Sequence, residues 1–414
     1  MAEKKSSRAG LRGADWNPAE LPQDMVQQSL IARTQDGATV RGVLYCLGGE
    51  ETAVLAAHPR ESINTHYLVP AMLKAGVAVY LQAPRSIGND IRLEHERALY
   101  DVAAGMSLLQ ERGYSKIVFL GNSGGAGLLT FYLQQANTPQ NGRITHSPGG
   151  RPTKLETAVL PPADGLILVS PHLGQGMLLL NEIDPSVTDE SDALSINPKL
   201  SPFMPQNGFK RPPQSSQYST DFQEAYRAAQ KERCARIDAI AKDQIARRMA
   251  SRKKIKDGKA NPMERVIGMH TPIFTVWRTD ADLRNWDTSI DPSDRPYGSL
   301  WGPNPFASNW GSIGFGRVCT AESWLSTWSG LSSNAAMLKC APAVTQPTLM
   351  IRYTADATVF PADAAAMLAA IGAENKESHV FPGDHHGHAV GDGEAGRGPA
   401  AETITHWLQQ HFPT

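Results

Sequence analysis

One stretch, KIVFLGNSGGAGLLTFYLQQA at residues 116–136, restricts the fold of this chain more than any other. The apolar residues Ile117 to Leu120 run into Gly121-Asn122-Ser123-Gly124-Gly125, and a helical apolar pattern begins at once. That order is strand, sharp turn and helix, with Ser123 at the apex. A turn this tight needs glycine two residues before and two after the serine, where a side chain would strike the neighbouring strand and helix. It also aims the hydroxyl at the start of the helix, where unpaired N–H groups favour negative charge. In a chain with 36 glycines, Gly-x-Ser-x-Gly is weak evidence by itself. Its setting makes it a candidate nucleophile elbow. The bland reading is a Gly-rich loop that packs closely or cradles a phosphate. No Walker lysine follows, and the Gly-x-Gly-x-x-Gly at Gly391 to Gly396 has no strand leading into it.

Around the elbow, apolar strands alternate with helical patterns. MVQQSLIART and ATVRGVLYCL flank an Asp36-Gly37 turn and predict a hairpin. Strands are predicted at 52–59, 77–84, 165–171, 347–353 and 377–383, with helices near 65–76, 93–113, after Pro361 and at the C-terminus. Continuous apolar strands separated by helices predict an α/β fold with a mostly parallel sheet covered on both faces. Residues 172–342 break the pattern. They hold a Pro-rich opening, a charged helical stretch from Thr220 to Lys256 and six of the eight tryptophans, Trp277, Trp286, Trp301, Trp310, Trp324 and Trp328. Such an insertion is expected to fold as a cap over the carboxyl edge of the sheet. The expected division is a flexible arm at 1–25, a core at 26–171 and 343–414, and the cap between.

Forty basic and 41 acidic residues leave a net charge of −1, so no global field points to nucleic acid or acidic lipid. The polar N-terminus has no signal-type apolar region, and no run is long enough to span a membrane. Cys46, Cys234, Cys319 and Cys340 lie far apart without a CxxC pair. A cytoplasmic protein with reduced thiols and a small-molecule substrate is expected.

A serine hydroxyl needs a base, and the base needs an orienting acid. In RYTADATVFP, Asp356 follows a strand; in VFPGDHHGH, three histidines crowd the loop after the last strand. The chain order is then Ser, Asp, His. On these residues the chain resembles the α/β-hydrolase superfamily over about 26–171 and 343–412, with an enlarged cap between. That resemblance implies Ser123 as nucleophile and Asp356 as acid, with Asp363 and Asp384 as alternatives. A Pro-Gly-x-x-His register implies His386 as base, with His385 and His388 as alternatives. Two departures stand out: Tyr353 occupies a usual glycine before the acid, and His58-Pro59 replaces a usual His-Gly. The oxyanion donors are expected to be the N–H groups of Gly124 and Arg60, since proline has none. His58 is expected to tie its loop down.

Arg60 and Glu61 are expected either to face the substrate or to pair with each other. The cap tryptophans read mainly as the cap's own core, with Trp277, Trp301 and Trp310 as candidates for the substrate pocket. The 220–256 helix reads as solvated and laced with i,i+4 ion pairs, or as packed on a second copy of the chain. Three nearby histidines are suited to metal, but no further ligand pair accompanies them, so neither metal nor cofactor is expected. The chemistry implied is hydrolysis of an ester, thioester or lactone of a bulky, partly apolar molecule. The alternatives are hydrolysis of a carbon–carbon bond beside a ketone, and a non-catalytic binding protein on the same fold.

Overall fold

The computed structural model describes residues 20–413. Most of the expected N-terminal arm, residues 1–19, lies outside them. Its last residues are not free, since Leu21 and Met25 pack against the core. Strands β1 (Val26–Arg33) and β2 (Thr39–Cys46) form the antiparallel hairpin, in register from Val26 opposite Cys46 to Arg33 opposite Thr39. Gly37 turns it at φ +84°, and the Thr34 hydroxyl accepts the Ala38 N–H at 2.8 Å.

The sheet continues through β3 (Thr52–Ala57), β4 (Ala78–Ala83), β5 (Lys116–Asn122) and β6 (Gly165–Val169). A two-stranded ribbon, β7 (Ile273–Thr275) and β8 (Val318–Thr320), stands apart. β9 (Thr348–Tyr353) and β10 (Lys376–Phe381) complete the sheet, whose order is β1-β2-β4-β3-β5-β6-β9-β10. β2 is antiparallel to β1 and β4, and every later pairing is parallel.

β3, β4 and β6 are buried along their whole length, which is why they read as unbroken apolar runs. Alternate residues feed opposite cores. Leu55 and Phe119 join Leu99 of helix α2 (His95–Glu111) and Leu129 of α3 (Gly124–Asn137) on one face. Val54, Val118 and Leu120 meet Met72 of α1 (Val69–Lys74) and Trp407 of the terminal helix Arg397–His411 on the other.

The chain between β6 and β9 has cores of its own. It holds α4 (Gln175–Glu182), α5 (Thr220–Lys256), α6 (Pro262–Met269) and the β7–β8 ribbon. Trp324 and Trp328 are fully buried among Ile237, Val276 and Leu325, and Trp286 is fully buried among Phe203, Phe209 and Tyr226. These three rings belong to the core of the insertion itself. α5 is less solvated than its charge suggests. Tyr226, Gln230, Arg233, Ile237 and Ala241 recur at helical spacing on a buried face. Arg233, 1% exposed, donates to both Glu190 oxygens at 3.0 and 2.8 Å. The expected i,i+4 pairs exist, Asp238–Lys242 and Asp243–Arg247, but each is loose at 3.9 Å. No helix among the described residues is long and apolar enough to cross a membrane.

Candidate active site

Ser123 stands between the end of β5 and the start of α3 with φ 53° and ψ −117°, a conformation that costs about 1–3 kcal/mol for a side-chain-bearing residue. The neighbouring glycines are there for steric reasons. A Cβ on Gly121 would lie 2.7 Å from the Ala126 Cα, and one on Gly125 would lie 2.4 Å from the Ala57 carbonyl oxygen. The turn is tied to β6: Ser123 N–H and the Asn122 side-chain amide both donate to the Val169 carbonyl at 2.9 Å.

Asp356, 1% exposed, uses its two oxygens differently. Oδ1 accepts the N–H groups of Thr358 (2.8 Å) and Val359 (3.1 Å), and Oδ2 lies 2.8 Å from Nδ1 of His385. The imidazole paired with the acid is therefore His385. This corrects the expected register, in which His386 held that place. Asp384 causes the difference. Its Oδ1 accepts the N–H groups of His386 and His388, both at 3.0 Å, and curls the loop so that His385 turns toward β9. The Ser170 hydroxyl, at the end of β6, donates to the His385 carbonyl at 2.8 Å.

Among the described residues, neither ring nitrogen of His386 has a hydrogen-bond partner. Burial, with His385, His66, His388 and Arg397 nearby, pushes its pKa down to about 2. Burial also opposes the charged form of His385, but the Asp356 and Asp384 carboxylates prevail and raise its pKa above the ordinary value. Of the five histidines lining the cavity described below, it alone is shifted upward. Burial takes His66 to about 4 and His172 to about 3, and lowers His58 well below its ordinary value with help from Arg60. The other candidates are committed elsewhere. Asp363 pairs with Arg284 at 2.8 Å, and His388 Nδ1 lies 3.1 Å from Asp384.

Tyr353, found where a glycine was expected, has a steric counterpart. Its hydroxyl lies 2.6 Å from that of Tyr67, and its ring presses on Gly387, where a Cβ would lie 2.7 Å from the Tyr353 Cζ. The large residue on β9 is accommodated by a glycine in the histidine loop.

This geometry gives a pH prediction. If His385 is the base, the acid limb of kcat/KM lies above about 6.5, the ordinary imidazole value. Asp356→Asn removes the charge that favours imidazolium, so the limb moves to lower pH. The amide also presents N–H to Nδ1 and holds the wrong tautomer, so kcat falls by about 10³–10⁴. A limb that stays in place, measured on a 4-nitrophenyl ester, would disprove this role for Asp356.

Ser123 and His385 line one cavity of about 230 Å³. Its floor is the carboxyl edge of the sheet, and the segment between β6 and β9 supplies a wall of Leu300, Trp301 and Phe315. Arg60, Glu61, Thr65 and His66 form a polar side. A second cavity of about 520 Å³ shares Leu300, His385 and His386 with the first and continues along Pro296, Tyr297, Ala357 and Val390.

Of the candidate tryptophans, only Trp301 reaches these walls. Trp277 donates its indole N–H to the Glu190 carbonyl at 3.1 Å, and Trp310 is packed with Phe203 and Phe306. Arg60 and Glu61 do both things expected of them, since they line the cavity and also pair at 3.4 Å. The Arg60 guanidinium is bound to Asp90 at 2.8 and 3.1 Å and lies over the rings of Phe315 and Trp328, joining the loop after β3 to the insertion. Its backbone N–H, the expected oxyanion donor, is turned to His58 Nδ1 at 3.2 Å. Gln175 and His172, which no motif marked, also line the cavity.

No family model matches this sequence, and no curated protein does. Solved structures do resemble the fold. GrgF, an alpha/beta hydrolase from Penicillium sp. sh18, superposes with a TM-score of 0.51 at 12% identity, over 94% of this chain and 100% of that one. The esterase Pf2001 from Pyrococcus furiosus has a TM-score of 0.43 at 11% identity, over 97% and 98%. The GrgF superposition, with the sheet order above, establishes the α/β-hydrolase fold for this chain.

Proposed function

We propose that the protein is a serine ester hydrolase. Ser123 Oγ attacks the carbonyl carbon and gives its proton to His385 Nε2, while Asp356 holds the ring by Nδ1 and stabilises the imidazolium. Gly124 N–H, at the head of α3, faces the oxyanion. His385 then protonates the leaving alkoxide, and a water repeats the cycle on the acyl-enzyme. The observation that carries this reading is a serine in a strained turn, in one cavity with a histidine whose other nitrogen is bonded to a buried carboxylate.

The adjoining cavities support a substrate with two unequal ends. A compact group carrying polar atoms would sit beside Arg60, Glu61 and Thr65. A larger, mostly apolar group would extend past Leu300 along Pro296, Tyr297 and Val390. An ester, thioester or lactone of a partly apolar molecule fits that division.

The test is the intact mass of wild type and Ser123→Ala after exposure to a fluorophosphonate. One adduct per chain, lost in the variant, is expected. A folded wild type that takes no adduct would overturn the reading.

A further inference from the structure

The loop after β3 begins His58-Pro59-Arg60-Glu61, and its backbone donors are already committed. Pro59 has no N–H. Arg60 and Glu61 both donate to His58 Nδ1, at 3.2 and 2.9 Å. An imidazole nitrogen that accepts two N–H groups carries no proton, so in the neutral ring the proton is on Nε2. That nitrogen points back into the site. A Cβ on Gly124, the residue next to the nucleophile, would lie 2.7 Å from His58 Nε2 and 2.7 Å from the Gln175 side-chain nitrogen. The missing side chain leaves a small space beside Ser123, bounded by the head of α3 and two side-chain N–H groups.

We infer that the second oxyanion donor is the imidazole of His58 through Nε2–H, an assignment that rests on the serine-hydrolase reading above. As the Ser123 Oγ–carbon bond forms, the carbonyl π pair moves onto oxygen and the serine proton passes to His385. The new oxyanion is held by Gly124 N–H and His58 Nε2–H. Collapse restores the carbonyl and expels the alkoxide, which takes its proton from His385. His58 donates a hydrogen bond throughout and gives up no proton. Burial and the nearby Arg60 charge keep it neutral, so its hydrogen-bonding pattern is fixed across the working pH range. The residue expected only to anchor its loop does so with one nitrogen and serves the reaction with the other.

Two substitutions separate the roles, because an Asn amide oxygen can replace Nδ1 and a Gln amide nitrogen can replace Nε2. The measurement is the rate of fluorophosphonate labelling of Ser123 by intact mass, with melting temperature recorded for each protein. His58→Asn, which keeps the loop acceptor and loses the donor, is expected to label at least about 100-fold more slowly. His58→Gln, which keeps the donor, is expected to recover the rate to within about tenfold of wild type. The opposite ranking, with His58→Asn fast and His58→Gln slow, would show a loop anchor only, and equal rates in the two variants would likewise overturn the assignment. If His58→Asn does not fold, His58→Gln decides alone: slowing of 100-fold or more overturns the assignment. A wild type that never labels removes the serine-hydrolase reading itself, a result distinct from either ranking.

Discussion

His385→Ala is expected to lower kcat on a 4-nitrophenyl ester by about 10⁴ or more, whereas His386→Ala lowers it by no more than about tenfold. The two residues are adjacent and both line the cavity, so sequence position does not separate them. Their bonding does. His385 Nδ1 is 2.8 Å from a carboxylate oxygen that is itself fixed through its partner oxygen by two backbone N–H groups. An imidazole so held keeps Nε2 free as the proton acceptor and is stabilised when the proton arrives. His386 has no acid partner, and a pKa near 2 makes it too weak a base to remove a hydroxyl proton near neutrality. Removing it leaves the Asp356–His385 pair intact and affects only the cavity wall. Steady-state rates of both variants, with melting temperatures to show that each is folded, check the contrast. A severe loss in His386→Ala beside a mild one in His385→Ala would reverse the assignment.

The elbow was legible in sequence because its constraints are local. Gly121 and Gly125 each face an atom that a Cβ would strike, so the spacing of residue types records the turn itself. The Asp36-Gly37 hairpin and the unbroken apolar strands are local in the same sense. The place of Asp356 was legible for a related reason, since a carboxylate just past the end of β9 stands at the carboxyl edge of the sheet. The histidine register was not legible. Which ring turns inward depends on Asp384 collecting two N–H groups, on Gly383 at φ +128° and Gly387 at φ +72°, and on Tyr353 pressing from β9. These are contacts between segments, and a family spacing cannot stand in for them. The direction of the Arg60 N–H was not legible either, because nothing in His-Pro-Arg-Glu reveals that the imidazole folds back on the two following amides. The tryptophans divide by packing that irregular sequence leaves unmarked. Trp286, Trp324 and Trp328 are core, and Trp301 alone among the three pocket candidates reaches the cavity.

Ser123→Ala is expected to lower kcat by about 10⁶, and the double variant Ser123→Ala/His385→Ala to be no slower than the single one. The serine oxygen becomes an effective nucleophile only as its proton leaves, and His385 acts only by taking that proton. The two groups therefore contribute one step between them, and removing either forfeits the same stabilisation. What survives comes from groups that neither substitution touches, chiefly the donors around Gly124 and the walls that exclude water. Alanine at position 123 keeps the Cβ, so the strained turn and its 2.9 Å tie to Val169 have no reason to change, and melting should move little. The check is a double-mutant cycle on kcat with one ester. Losses that multiply would mean that serine and histidine act independently, and the acyl-enzyme mechanism would fall. A shared loss would bind the two residues to one chemical event.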